Sequence, residues 1–414
     1  MKGAKNVKGR FRHRAIYRIA RCIMMPYFRI RFNEHAKLIK PKSSPYILIA
    51  NHVFNWDPLT VGISFRQPMY YVASEHIFRW GNLSKLIQFV EAPIARQKGT
   101  ADSKTVKDIL IRLRGNNNVC VFAEGSVTYT GETGYIAPAI GKLVKLSGAG
   151  LITTSMHGGY LTHPRWGKTY RRGKLTVTPV AEYSPEQLKE MSVKEINEII
   201  KRDLYVNAYE DQLALDEPVK FKGKQLAEGI ENVLYLCPNC QRFSTITSKD
   251  DRFSCDCGLE GRFTETGFLE SVGSVPFEFD TIVKWNSWQE DWLAEHAEEL
   301  RNTPKDQPIL FHGGQELITF ERAGETTSLG KGSIALYADR FEFIPDDGSA
   351  EKIVIPFEEI PKGVTYYGTG SATLAMTTTD DRSYEFKSDA SVSRSSWCYE
   401  HVLAVLNKKE SEEK

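Results

Sequence analysis

The sequence has no apolar run long enough to cross a bilayer. Its longest, such as Tyr46-Ile47-Leu48-Ile49-Ala50, fall far short of the roughly 20 residues a spanning helix needs. The first ten residues are basic, but no apolar stretch with a small-residue cleavage site follows them. No secretory signal is read there, and the cytoplasm is the expected compartment. Acids are almost missing from residues 1–42, where Glu34 stands alone against thirteen Lys or Arg. Seven cysteines in 414 residues do not make a disulfide framework, and Cys22, Cys120 and Cys398 are isolated, which reads as small apolar filling. There is no internal repeat. An apolar fraction of 41% with 26% charged residues excludes fibrous and wholly disordered chains.

The length exceeds what one hydrophobic core organises and predicts two or three domains. Net charge is only +2, so the basic N-terminus is balanced by an acidic remainder. That asymmetry calls for an anionic partner, either lipid headgroups or nucleic acid. Read as a helix, residues 10–32 place Arg10, Arg14, Arg18 and Arg21 on one side and Ile16, Ile19, Ala20, Ile23 and Tyr27 on the other. A basic face opposite an apolar one is the pattern of a helix lying in a membrane interface, and Pro26 is expected to kink or end it.

From 46 to about 180, short apolar runs alternate with helical patterns. Strands are predicted over 46–50, 68–73, 90–94, 119–122, 151–155 and 174–179, and helices over 59–65, 83–89, 104–113 and 137–147. The alternation implies an α/β domain around a largely parallel sheet. Residues 184–215 are helical in pattern, with Ser192 as a cap. The expected organisation is a basic amphipathic segment over 1–32 and an α/β domain over 33–225. A compact cysteine-bearing segment follows over 231–268, then a Trp-rich helical connector over 281–301 and a β domain over 307–407. That last region shows strands at 308–311, 316–320, 333–338, 340–345, 352–356, 364–367, 373–378 and 383–386, closed by one helix over 392–406. In pattern it resembles the pleckstrin-homology type of barrel. Trp285, Trp288 and Trp292 fall at helical spacing and read as core.

The chemistry centres on Asn51-His52-Val53-Phe54-Asn55-Trp56-Asp57-Pro58. Pro58 favours a first helical position, which suits Asp57 to the N-cap. A spacing of five sets His52 and Asp57 about 140° apart on a regular helix, so they meet only if the segment forms the strand-to-helix turn. There a neutral imidazole takes the proton of a hydroxyl nucleophile, and a carboxylate fixes its tautomer. This Asn-His-x4-Asp segment resembles the first block of the glycerolipid acyltransferase family, the lysophosphatidic-acid acyltransferase-like enzymes. Glu91-Ala92-Pro93-Ile94-Ala95-Arg96 is similar to that family's second block, and Val121-Phe122-Ala123-Glu124-Gly125-Ser126 to its third, Phe-Pro-Glu-Gly-Thr-Arg. The stretch 141–154 is similar to the lead into a fourth.

The resemblance covers about residues 15–205. It implies an O-acyltransferase with His52 and Asp57 catalytic, Arg96, Glu124, Gly125 and Ser126 on the acceptor, and acyl-coenzyme A or acyl-carrier protein as donor. No acyl-enzyme is required, and backbone amides near the turn are expected to hold the oxyanion. Two residues depart from the pattern: Ala123 replaces proline, and Val127 stands where the family has an arginine associated with the acceptor phosphate. Arg96, Lys98, Lys142 and Lys145 are the cations available to replace that charge, unless the acceptor lacks a phosphate monoester. Glu124 is expected to bind acceptor hydroxyls or to hold Arg96. His157-Gly158-Gly159-Tyr160 reads either as a channel lining or as a glycine turn with an incidental histidine.

Cys237-Pro238-Asn239-Cys240 and Cys255-Asp256-Cys257-Gly258, fourteen residues apart, have the spacing of a four-thiolate structural Zn(II) site, with an iron–sulfur centre as the rival. The expected protein is therefore a peripheral enzyme of the inner membrane face, acylating a lysophospholipid or related glycerolipid. A protein partner could be met through the C-terminal half, and nucleic acid is set aside because it leaves the ordered blocks unexplained. The alternative function is a catalytically idle membrane scaffold of the same fold.

Overall fold

The computed structural model describes residues 7–35, 38–74, 93–96, 103–320, 326–348, 351–361, 363–368, 373–380, 382–389 and 392–407. It divides into two compact units: Met1–Pro164 with Tyr170–Gly223, and Arg165–Thr169 with Lys224–Lys414.

The first unit is built on a six-stranded sheet of β1 (Tyr46–Ala50), β2 (Met69–Ser74), β3 (Ile94–Arg96), β4 (Asn118–Phe122), β5 (Gly150–His157) and β6 (Thr176–Tyr183), in the order β3-β2-β4-β1-β5-β6. The first five strands run parallel and β6 is antiparallel to β5. β1 and β4 are buried at every position, which is why they read as unbroken apolar runs and not as alternating ones. Pro179 is tolerated because β6 is an edge strand.

The helices are α1 (Val7–Phe32), α2 (Asp57–Ser64), α3 (Ser103–Arg114), α4 (Ala139–Ser147), the single turn α5 (Gly159–Thr162), α6 (Pro185–Glu190), α7 (Val193–Leu204) and α8 (Ala208–Leu213). On one face of the sheet Ile47, Ile49, Val119, Val121 and Leu151 pack with Ile109 and Leu113 of α3, Leu143 and Val144 of α4, and Ile196 and Ile200 of α7. Two capping boxes, Ser184 with Gln187 and Ser192 with Glu195, break the helical stretch 184–215 into separate pieces. In register, Ala50 faces Phe122 on one side and Thr154 on the other. The segments that follow β1, β4 and β5 therefore leave the sheet at one common edge, where reacting groups gather in parallel sheets.

Several expectations change. The described third strand runs over Ile94–Arg96; residues 90–92 of the strand expected over 90–94, and the helix expected over 83–89, lie outside the described residues. α1 does not stop at Pro26 but continues to Phe32. Arg21, on the side that reads as basic, is not simply solvated: with Tyr17, Ala20 and Met24 it lines a groove against Pro58, Leu59, Gly62, Ile63, Met69 and Tyr71. Cys120 and Cys398 are buried, whereas Cys22 is exposed and fills no core.

In the second unit, β7 (Ile246–Lys249), β8 (Arg252–Cys255), β9 (Glu260–Phe263) and β10 (Leu269–Ser271) form an antiparallel sheet in the order β10-β9-β8-β7. Helices α9 (Ile282–Glu295) and α10 (Ala297–Arg301) follow. Trp285 is fully buried among Phe253, Phe277 and Phe279 and donates to the Leu236 carbonyl, so it is core, as its spacing indicates. The last sheet is wholly antiparallel, in the order β14-β13-β12-β11-β17-β16-β15. Its strands are β11 (Leu310–Phe320), β12 (Thr326–Leu336), β13 (Arg340–Pro345), β14 (Ile353–Pro356), β15 (Val364–Tyr367), β16 (Thr373–Thr377) and β17 (Ser383–Ser388). The chain then forms α11 (Ser396–Asn407). Two strands expected at 308–311 and 316–320 are one, β11, whose register shifts between His312 and Gln315. The shift falls at Gly313-Gly314, where Gly314 takes φ +61°, so a bulge replaces the expected break.

Candidate active site

At the end of β1 the chain needs an anchor before it turns. The buried Asn51 side chain supplies it, accepting from the Met156 amide at 2.8 Å and donating to the Met156 carbonyl at 3.1 Å. The turn that follows brings His52 and Asp57 together, with His52 Nδ1 2.7 Å from Asp57 Oδ2. The same oxygen accepts the amides of Val53 at 2.7 Å and Phe54 at 3.0 Å. Asp57 therefore is not the cap of α2. It is the first helical residue, and its carboxylate turns back into the preceding loop, where three donors converge, while Pro58 needs no amide partner. The Val53 and Phe54 amides are spent on Asp57, so an oxyanion would have to be held by other amides near the turn.

A carboxylate only accepts, so Nδ1 carries the proton and Nε2 keeps its lone pair. The imidazole stacks on Phe122, with ring centroids 4.5 Å apart and planes 22° apart. Asp57 is completely buried; desolvation raises its pKa, opposed by the His52 hydrogen bond and charge and by the two amides.

The third-block segment wraps the backbone of His52. Glu124 Oε1 accepts the His52 amide at 2.6 Å and Glu124 Oε2 accepts the Gly134 amide at 2.7 Å. The Thr128 amide donates back to the His52 carbonyl at 2.9 Å. Both Glu124 oxygens thus serve the main chain, and no ion pair joins Glu124 to Arg96 among the described residues. Burial pushes the Glu124 pKa up to about 7, against the pull of the two amides. Gly125 has φ +71°, and a Cβ there would lie 2.9 Å from Arg96 Nη1. The missing side chain is what lets the Arg96 guanidinium lie on this turn. Ser126 continues the same turn.

Of the other cations considered, Lys145 is committed elsewhere: its ammonium donates to the carbonyls of Leu188, Lys189 and Met191 at the end of α6. Lys142 is exposed on α4, and Lys98 lies outside the described residues. Of these four cations, Arg96 is the one that lies on the third-block turn among the described residues.

Sequence reasoning gave no role to Glu34. It is 2% exposed, and neither carboxylate oxygen has a hydrogen-bond partner. Desolvation, and then the Asp57 charge, push its pKa up to about 8. The fold therefore favours its neutral form. Glu34 contributes stability fully below its ordinary value near 4.5, and that contribution is lost as pH rises through about 8. Glu124 acts with the same sign up to about 7. The urea midpoint of the first unit should fall between those limits, and Glu34→Gln should reduce the fall without abolishing it. An unchanged pH profile in that variant would contradict the assignment.

The four cysteines of the second unit also come together. The first hook lies in the turn bounded by the Leu236–Phe243 bridge. The second closes with the Gly258 amide donating to the Cys255 carbonyl, Gly258 having φ +93°. Cys237 Sγ is 3.6 Å from Cys257 Sγ, and Cys240 Sγ is 3.7 Å from Cys255 Sγ; all four sulfurs lie within 4.8 Å of one another. These are not disulfides. A tetrahedral ion with metal–sulfur bonds of about 2.3 Å sets its sulfurs about 3.8 Å apart, so the donor set has the dimensions of a zinc site. Burial raises the Cys237 and Cys255 pKa values, a cost that a divalent cation offsets.

The stretch of chain that carries His52, Asp57, Arg96 and Glu124 also resembles known proteins. Residues 30–157 match the Acyltransferase family model. Those residues contain β1 to β5 and every first-, second- and third-block residue named above, whereas the cysteine-bearing and seven-stranded sheets lie outside the match. Among solved structures, the chain is similar to the 1-acyl-sn-glycerophosphate (LPA) acyltransferase PlsC from Thermotoga maritima. The identity is 16% over 48% of this chain and 80% of that one, with a TM-score of 0.39. No curated protein matches the chain.

Proposed function

We propose that the protein moves a fatty acyl group from an acyl thioester, of coenzyme A or acyl-carrier protein, to a hydroxyl of a lysophospholipid or related glycerolipid at a membrane surface. The observation that carries this reading is the His52–Asp57 pair at 2.7 Å, with Nε2 left as a base, inside the segment that matches the acyltransferase model. His52 Nε2 takes the hydroxyl proton as the oxygen attacks the thioester carbonyl. The tetrahedral intermediate collapses, the C–S bond breaks, and the imidazolium returns the proton to the leaving thiolate. Asp57 holds the tautomer and stabilises the imidazolium. Glu124 fixes the backbone of His52, and Arg96 over Gly125, with Ser126 beside it, receives the acceptor headgroup. A shallow groove lined mainly by apolar side chains lies between α1 and α2 and includes Pro58, next to the catalytic pair; in this reading it guides the start of an acyl chain.

Two features support a peripheral place on the inner membrane face. No helix among the described residues is long and apolar enough to cross a membrane. On α1, Phe28 and Phe32 are buried while Ile19, Ile23 and Ile30 are 62%, 64% and 75% exposed, forming an outward apolar stripe flanked by Arg18 and Arg29. Cys237, Cys240, Cys255 and Cys257 would hold a structural Zn(II), which supplies cross-linking and no chemistry at His52. The seven antiparallel strands and closing helix suit a pleckstrin-homology-type module that meets a protein partner.

Val127, in place of the block's arginine, favours a second reading: an idle scaffold of the same fold. The test is transfer of labelled acyl groups from coenzyme A and carrier-protein thioesters to a panel of lysolipids and neutral glycerolipids, with flotation on anionic vesicles with and without residues 1–32. Transfer to at least one acceptor and flotation that needs residues 1–32 are expected. Flotation without transfer to any acceptor would leave the scaffold.

A further inference from the structure

Within the first unit lies a second set of reactive groups that the acyl-transfer mechanism does not use. Ser155 and His157 are two residues apart on β5 and so share one face of the strand. Ser155 Oγ is 3.0 Å from His157 Nε2, and His157 Nδ1 is 2.7 Å from Asp211 Oδ2. Asp211 comes from α8, which is placed by its Asn207 cap and by the bridge between Asn207 and Glu132. The tautomer follows from donor counting. The Asp211 carboxylate only accepts, so Nδ1 bears the hydrogen, Nε2 is the acceptor, and the Ser155 hydroxyl donates to it. A hydroxyl on an imidazole lone pair, with a carboxylate behind the ring, is the arrangement that activates a serine nucleophile, and it is recognised by geometry, not by sequence order.

We infer that Ser155, His157 and Asp211 form an esterolytic centre, separate from His52, that accepts an acyl group on Ser155 Oγ and releases it to water. In the first half, the Ser155 oxygen bonds to the acyl carbon and its proton passes to His157 Nε2. The ester C–O or thioester C–S bond breaks, and the leaving alcohol or thiol takes that proton. In the second half, water attacks the Ser155 ester, again giving its proton to Nε2, and Oγ leaves with it. No redox partner or metal is needed. Access defines the substrate class. The His157 side chain is 34% exposed, whereas Ser155 is recessed at 5% exposure, so the hydroxyl is reached past the imidazole and the substrate class inferred is a small, unbranched acyl ester or thioester. The centre also sits at the end of β5, on the edge of the sheet where β1 and β4 deliver the His52 site.

The full-length protein is treated with a fluorophosphonate probe and, separately, with p-nitrophenyl acetate, and the adduct is mapped by mass spectrometry. A single adduct on Ser155 and a nitrophenolate burst are expected. Both should be lost in Ser155→Ala and His157→Gln, slowed in Asp211→Asn, and kept in His52→Ala, the variant in which acyl transfer fails. Ser155→Cys provides a check independent of ester turnover: iodoacetamide should alkylate it faster than it alkylates the same variant carrying His157→Gln. No adduct on Ser155 in the folded wild type, hydrolysis unchanged in Ser155→Ala, or alkylation indifferent to His157 would each overturn the inference. Loss of transfer in His52→Ala bears on the other site alone, so the two readings fail separately.

Discussion

Asp57→Asn should cut acyl transfer by about 10²-fold to 10⁴-fold, the range assigned to general acid–base catalysis, while leaving KM nearly unchanged. One oxygen, Oδ2, accepts from His52 Nδ1, Val53 N and Phe54 N, whereas Oδ1 is buried without a partner. Asparagine will keep its carbonyl oxygen towards the three donors, because the flipped amide would point hydrogens at two N–H groups. The tautomer and loop geometry therefore survive. What disappears is the negative charge that stabilises the imidazolium as the hydroxyl proton arrives, so the loss falls on kcat. Asp57→Ala differs: it strands two backbone amides at roughly 1–3 kcal/mol each and frees the ring to choose either tautomer, so it should lower stability as well as rate. Rates and urea midpoints for the two variants separate these effects. An Asn variant with wild-type kcat would contradict the role given to Asp57.

Removing metal from the cysteine cluster should have the largest effect on stability. Zinc-finger peptides gain about 10–16 kcal/mol from structural zinc, and here the ion would replace sulfur repulsion and thiol desolvation with four bonds. Protein purified without chelator should carry a single equivalent of zinc by elemental analysis. Cys240→Ser should lose it, with protease sensitivity appearing around residues 236–260. Cys240 suits the test because it is less buried than Cys237 or Cys255, so the serine itself disturbs little packing. Iron in place of zinc, or no metal with full resistance to protease, would contradict the zinc assignment.

Much of the site could be read from local sequence, and the parts that could not depend on distant chain segments. β1 was legible as five consecutive apolar residues because both its faces are covered. Ser192 was legible as a cap because Glu195 completes the box within one turn. A strand, five residues and a proline left the His52–Asp57 pairing conditional on a strand-to-helix turn, and the chain forms that turn. The direction of the Asp57 carboxylate did not: cap statistics point it at the helix ahead, but the loop behind offers three donors to a single oxygen. Glu34, a lone acid in a basic segment, carries no local signal of burial. It is buried because its backbone bridges to Leu175, far along the chain. The same is true of Asp211, whose approach to His157 needs the whole path of the chain through β6, α6 and α7. That Arg21 lines a groove was not legible, because helical periodicity reports angles but not which side the domain occupies.

The most direct test of the central claim is the rate of labelled acyl transfer from a coenzyme A thioester to lysophospholipid by wild type and by His52→Ala. The urea midpoint of each is measured alongside. The geometry predicts that the variant loses nearly all transfer while its midpoint stays close to wild type, since the imidazole contributes one ring stack and one hydrogen bond at a partly exposed site. A folded His52→Ala protein that transfers acyl groups at the wild-type rate would contradict it.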